Sequence, residues 1–336
     1  MSSSGTQTGP TSDRIMRMIN GYWATGVLGT AASYDLFTHL EDGAGTAGEL
    51  ARRAGIAVRG AQALLDGLVA LELIELSGGR YRNTPEASAF LVAGRPMSLA
   101  AFAQVKMGHL GSLAALPDVV RTGGPVTDAE VEVADNPHWE NLVQAIAAQA
   151  VPVAHTVADA LRLADAGKVS ILDIGGGSGI CSALWLALNP DAHATQVDWA
   201  PVNQIARRLL ADQGVGSRVE HVDGDFHTAD FGNGEHDIVM YSNIAHQEAP
   251  EDNQAVFTRI RRALRPGGTL VVSDYITDDD RSGPPFALTF SSEMLLKSRH
   301  GASWRRGDYE AWLTAAGFTD IRYLDTPSPT TVVLAR

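Results

Sequence analysis

Cysteine is nearly absent: Cys181 is the single one in 336 residues. A disulfide framework is thereby excluded, and a reducing, cytoplasmic setting is expected. Basic residues are outnumbered, with 26 Lys and Arg against 39 Asp and Glu and a net charge of −13. General nucleic-acid binding needs a basic footprint, so no nucleic-acid partner is expected. No apolar run reaches the roughly 18 residues of a membrane span, so no membrane partner is expected either. The first 13 residues, MSSSGTQTGPTSD, lack the basic start and apolar centre of a signal peptide and read as a disordered tail.

What is present is core-forming material: 45% of residues are hydrophobic and 19% charged, a globular balance. From residue 14 to about 165 the pattern is mostly helical and rich in Ala and Leu. Within it, Thr46 and Glu49 form a capping-box spacing, and a second helix follows from about Val58. Residues 73–76 and 81–84, joined by Ser77-Gly78-Gly79, read as a hairpin. Helix, turn, helix and hairpin make a winged helix. Its second helix is too acidic to read a major groove, so the module is expected to pack against another subunit. From 166 to 336 strands alternate with helices, which implies an α/β, Rossmann-like doubly wound sheet with right-handed crossovers.

The first strand of that second region runs into Asp173-Ile-Gly-Gly-Gly-Ser-Gly179. Gly175 and Gly177 are expected to bring backbone close to a ligand. The spacing is not the dinucleotide fingerprint, because Ile180 stands where its third glycine belongs. The second strand ends in Asp198, whose carboxylate suits a ribose diol. The third leads to Asp225-Phe226, an acid and an aromatic that suit an adenine amine and ring face. No Lys or Arg sits in the glycine turn, so the ligand reads as an adenosine without phosphates.

Taken together, LDIGGGSG, VDWAP, VDGDF, SNIAHQEAPED, ALRPGGTLVVSDY and the late EMLLKSRHGASWRRGDYEAWLTAAGF carry a resemblance. The chain resembles the class I S-adenosylmethionine-dependent small-molecule O-methyltransferase family. Members carry a winged-helix dimerisation domain before a Rossmann-like catalytic domain. The resemblance implies S-adenosyl-L-methionine as cofactor and a homodimer formed through the N-terminal domain. It implies Gly175 near the methionine moiety, with Trp199 and Ser242 as further cofactor neighbours.

Methyl transfer to a hydroxyl needs alignment and removal of a proton. His246, after the fourth strand, has the right intrinsic basicity, and the resemblance makes it the general base. The pattern departs from the family at Gln247 and at Ser303, where acids are usual. Glu248 and Glu293 are the candidates to support the imidazole. An absent acid partner would favour a carbon acceptor, so C-methylation is the alternative; a winged-helix effector-binding regulator is the alternative from another class. The histidines at 39, 193, 221, 227 and 236 are expected to be structural. His246 and His300 alone are too few for a metal centre, and none is expected. The substrate wall is expected from Phe102, Met107, Trp139, Phe290, Met294 and Trp304, with Asn243 and His300 alongside, for a small apolar or aromatic metabolite of secondary metabolism. Residues 278–285, DDDRSGPP, are expected to be irregular.

Overall fold

A computed structural model describes residues 10–125 and 138–336. The first nine residues of the expected tail lie outside the described residues, and Asp13 already opens a helix. The chain divides into two compact units between Gly111 and Ser112.

The N-terminal unit holds α1 (Asp13–Ile19), α2 (Tyr22–Ser33), α3 (Leu36–Glu41), α4 (Ala47–Ala54), α5 (Val58–Ala70), β1 (Ile74–Ser77), β2 (Arg80–Asn83), α6 (Pro85–Phe90) and α7 (Ala100–Gly108). Thr46 accepts from the Glu49 N–H at 3.2 Å while the Glu49 carboxylate accepts from the Thr46 N–H at 3.1 Å, the reciprocal cap read from the spacing. β1 and β2 are antiparallel with Ser77 opposite Arg80, so Gly78 and Gly79 are the whole turn. Both have positive φ, 58° and 76°, which glycine adopts at little cost. Phe37, Leu50, Leu65, Leu68 and Ile74 fill the core of this unit.

The second unit contains α8 (Leu116–Thr122), α9 (His138–Ala160), β3 (Ser170–Ile174), α10 (Ile180–Leu188), β4 (His193–Asp198), α11 (Ala200–Asp212), β5 (Val219–Asp223), β6 (His236–Ser242), α12 (Pro250–Ala263), β7 (Leu264–Asp274), α13 (Pro285–Lys297), α14 (Arg306–Ala315), β8 (Ile321–Leu324) and β9 (Thr331–Ala335). The sheet order is β5-β4-β3-β6-β7-β9-β8. The first five strands are parallel, and β9 pairs antiparallel with both β7 and β8. Strand order reverses between β3 and β6, so a ligand crevice is expected at their carboxyl ends.

Alternation along the strands loads both faces. Leu172, Ile174, Val239, Tyr241 and Val272 face a core with Phe257 and Ile260 of α12 and Tyr309 and Leu313 of α14. Ile171, Ile238, Met240 and Val271 face the other, with Val153 and Val157 of α9, Trp185 and Leu186 of α10 and Leu210 of α11. This second core explains why the unit begins at Ser112, upstream of the 165/166 boundary read from sequence. α9 buries one face on the sheet and accepts a 2.8 Å bond at the Ala154 carbonyl from Trp185 Nε1.

Trp185 is 1% exposed and joins α9 to the sheet. Trp185→Ala is expected to cost about 3–5 kcal/mol through lost burial and a residual cavity. Urea unfolding followed by circular dichroism checks it; a change under about 1 kcal/mol would mean α9 is held by other contacts.

Candidate active site

The crevice between β3 and β6 is built first by glycine. Gly175, Gly177 and Gly179 have φ of 61°, 57° and 76°. A Cβ on Gly175 would lie 2.1 Å from Ile244 Cδ1, and one on Gly176 2.7 Å from Gln196 Cδ, so the turn tolerates no side chain at either place. Gly175 donates to the Val197 carbonyl at 2.8 Å, tying the turn to β4. Asp198, closing β4, accepts from Gly177 N at 2.8 Å and from Trp199 N at 2.7 Å, one bond per carboxylate oxygen. Each oxygen retains a lone pair for a hydroxyl donor. Burial pushes Asp198 up to about 6, against the pull of those two N–H donors. Asp173, behind it, is also raised to about 6 by burial, with Ser182 donating to it at 2.8 Å. A cradle that excludes Cβ atoms, has no basic side chain and ends in an acid fits an adenosine ligand lacking phosphates.

The loop after β5 holds Asp225 and Phe226. Asp225 Oδ1 accepts the His227 N–H at 2.8 Å and bonds His227 Nδ1 at 2.7 Å. The Phe226 ring stacks on His227 with centroids 4.2 Å apart and meets Tyr241 edge-on at 6.1 Å. One Phe226 face is therefore already covered. His227, expected to be structural, joins this loop to Glu248 at 2.7 Å.

At the end of β6, Ser242 is followed by Asn243 in the left-handed region, φ 56°, where asparagine is among the few residues tolerated. Asn243 donates its N–H to Ser273 of β7 at 2.8 Å, and its buried Oδ1 has no partner among the described residues. The chain then turns through Ile244–Gln247 and enters α12 at Pro250. His246 sits in this turn, 5% exposed. Its backbone N–H donates to Asp274 Oδ2 at 3.0 Å, and Nδ1 lies 2.6 Å from Asp274 Oδ1. Asp274, the last residue of β7, also accepts from Tyr275 N at 2.7 Å and the Tyr309 hydroxyl at 3.1 Å. With Asp274 as the carboxylate, all four groups can donate to it, and Nδ1 is then the nitrogen that carries the imidazole proton. Nε2 is left with its lone pair and no hydrogen bond among the described residues.

Sequence reasoning missed Asp274. Glu248 and Glu293 were the expected supports, but Glu248 bonds His227 and Glu293 pairs with Lys297 at 2.8 Å. Ser303, at the family's acid position, is 2% exposed with Oγ unpartnered among the described residues. The late motif acts on the histidine loop by another route. Trp304 Nε1 donates to the Ala245 carbonyl at 2.9 Å, and Ser298 Oγ donates to the Gln247 carbonyl at 3.0 Å. Gly301 approaches so closely that a Cβ would lie 2.3 Å from the His246 carbonyl.

Of the expected substrate residues, Phe290 meets the His246 ring edge-on at 5.0 Å. Tyr275 lies 4.2 Å from Phe290 and 5.1 Å from Phe286, making an aromatic wall. Met294 is buried one turn beyond Phe290 on α13. Trp139 stands in the first turn of α9. His300 is exposed. Met107 packs within the N-terminal unit: Thr30 Oγ1 donates to its sulfur at 3.2 Å, and a Cβ on Gly29 would lie 2.5 Å from its own.

The O-methyltransferase domain model matches residues 130–319, and the O-methyltransferase dimerisation domain model matches residues 16–93. The chain is 30% identical over 328 residues to the tetracenomycin polyketide synthesis 8-O-methyl transferase TcmO of Streptomyces glaucescens, covering 96% of each. It is 32% identical over 322 residues to a 3-hydroxy-5-methyl-1-naphthoate 3-O-methyltransferase of Streptomyces sahachiroi, covering 93% of this chain and 91% of that one. The human N-acetylserotonin methyltransferase, solved with S-adenosylmethionine, superposes with a TM-score of 0.85 at 25% identity over 100% of this chain and 99% of that one. The chain therefore belongs to the O-methyltransferase family, with a dimerisation domain ahead of a catalytic domain that takes S-adenosylmethionine as the methyl donor to a hydroxyl group.

Proposed function

We propose that this enzyme methylates a hydroxyl of a flat, apolar or aromatic small metabolite of secondary metabolism, with His246 as general base through Nε2. The observation that carries this is the 2.6 Å bond from Nδ1 to Asp274, which fixes the tautomer and turns the basic nitrogen outward. Tyr309, donating to the far oxygen of Asp274, keeps that carboxylate from rotating. Phe290 and Tyr275 beside the imidazole support an aromatic acceptor and exclude water from the proton-transfer site. Relatives named for a polyketide and a hydroxynaphthoate support the same acceptor class. The reason to favour a carbon acceptor was a missing acid partner, and Asp274 removes it.

S-adenosylmethionine, when bound, supplies a methyl group on a sulfonium centre. Gly175 and Gly177 would hold its chain, Asp198 and Trp199 its ribose, Asp225 and Phe226 its adenine, and Ser242 the floor between. Alignment of acceptor and methyl is the larger contribution, roughly 7–11 kcal/mol, and the base adds about 10²–10⁴-fold. Asp274→Asn presents a donor to Nδ1 and so promotes the wrong tautomer. With an acceptor found by screening phenols with labelled cofactor, Asp274→Asn and His246→Ala are each expected to lower kcat about 10²–10⁴-fold. Cofactor affinity by titration calorimetry should stay within about twofold. Full activity in both variants would leave alignment as the sole driver.

Asp198 binds a diol best as the carboxylate. Its folded-state pKa of about 6 means that cofactor affinity should be constant from pH 7 to 8 and fall as pH drops through 6. Calorimetry at pH 5.5 and 7.5 checks this. Asp198→Asn should abolish the acid limb, and a wild-type affinity independent of pH would displace Asp198 from the ribose.

The working form is proposed to be a cytoplasmic homodimer assembled through the N-terminal domain. α1 buries nothing within its own unit, and Met18 and Trp23 are 66% and 61% exposed, with Ile15, Ile19 and Tyr22 beside them. An apolar surface of this kind supports burial against a second copy. Met18→Glu with Trp23→Glu is expected to yield a monomer in sedimentation velocity; an unchanged dimer would move the interface elsewhere.

A further inference from the structure

His227 is bonded at both ring nitrogens to carboxylates from different loops. Nδ1 lies 2.7 Å from Asp225 on the loop after β5, and Nε2 lies 2.7 Å from Glu248 on the loop after β6. A neutral imidazole has one N–H and satisfies one such partner; the imidazolium satisfies both. Glu248 is two residues beyond His246, and Asp225 and Phe226 are the proposed adenine contacts. The ring also stacks on Phe226 at 4.2 Å. From α12, Arg259 donates to the Phe226 and His227 carbonyls at 2.8 and 2.7 Å and bonds the Ala229 carbonyl, so the loop's backbone is pinned while its side chains reach across. The charged groups facing this ring are thus Asp225 on its own loop, Glu248 across from it and Arg259 behind.

We propose that His227, as an imidazolium, is a positioning residue that locks the adenine loop to the loop carrying His246, so that cofactor placement and base placement are set together. The proposal rests on Asp225 and Phe226 being the adenine side of the site. Bonding to Glu248 and then Asp225 raises His227 to about 9, against the effect of burial. The sign follows: a histidine raised from 6.5 contributes in full below about 6.5 and loses its contribution as pH rises through about 9. Above that, one ring nitrogen presents a lone pair to a carboxylate, and the two loops repel.

The test uses the full-length protein and S-adenosylhomocysteine as the probe, with affinity measured by calorimetry from pH 7 to 10. His227→Phe preserves the stack on Phe226 and removes both bonds; affinity is expected to fall at least tenfold at pH 7.5 and to lose its alkaline limb. Glu248→Gln keeps an acceptor for Nε2 but removes its charge; the alkaline midpoint is expected to move from about 9 to lower pH. The midpoint shift reports on charge and is not produced by a change in packing. If His227→Phe melts out, the Glu248→Gln midpoint decides alone. Wild-type affinity and profile in the variants would overturn the proposal; a wild type that fails to bind the probe would overturn the reading of the site, and the proposal with it.

Discussion

The carboxylate of Asp274 is withdrawn from water and receives hydrogen bonds from two backbone N–H groups, one imidazole and one phenol. Removing an ion from water costs several kcal/mol. Charge-assisted bonds contribute roughly 1.5–3 kcal/mol each, so the full set offsets that cost and a partial set does not. Because the donors come from the loop after β6, the end of β7 and α14, the requirement knits three elements around one atom pair. Any arrangement that lets His246 swing away strands a buried charge. The base proposed here, His246, is therefore held in place by a stability constraint.

The same economy operates at the other side of the crevice. The glycine turn has no side chain that would keep it in place, so its geometry depends on neighbours: Val197 accepts from Gly175, and Asp198 accepts from Gly177. Ile244, one residue beyond Asn243, fills the space a Cβ on Gly175 would need. The loop that carries His246 thus also abuts the turn proposed to hold the methionine moiety. In the proposed arrangement donor and acceptor sites share one wall, which favours the short, in-line geometry that displacement at a methyl carbon needs.

Much of this was legible from residue order. The parallel strands read correctly because apolar runs bounded by turn residues admit few alternatives, and the switch point follows once strand and helix alternate. The capping box at Thr46 and the hairpin at Gly78-Gly79 are local chemistry, and local chemistry is what a sequence displays. Asp274 was hidden because it stands 28 residues from His246 and belongs to a strand end. A signal existed. With β6 and β7 adjacent and parallel, Ser242 pairs with Ser273, which puts the next residue of β7 beside the loop leaving β6. α9 was placed on the wrong side of the boundary for a different reason: an apolar helical face does not say which core it fills. The bridge made by His227 was not legible because its two partners lie on separate loops, and neither spacing nor periodicity brings them together.

Charge favours the ligand proposed for this turn. Burial raises both Asp173 and Asp198, the charge of Asp198 further disfavours ionisation of Asp173, and the turn supplies no cation to relieve them. At an effective dielectric of about 20, two unit charges a few ångströms apart interact by roughly 4 kcal/mol, so a pyrophosphate brought here meets a substantial repulsion. A ligand offering hydroxyl donors to Asp198 meets the opposite situation, because each donor stabilises the carboxylate form that burial has made costly. A positive sulfonium near those acids is favoured for the same reason. The absence of a basic residue between Asp173 and Cys181 is thus a selective feature. Placing a lysine there would offset the acids and admit phosphate, at the expense of the field that now prefers a cation.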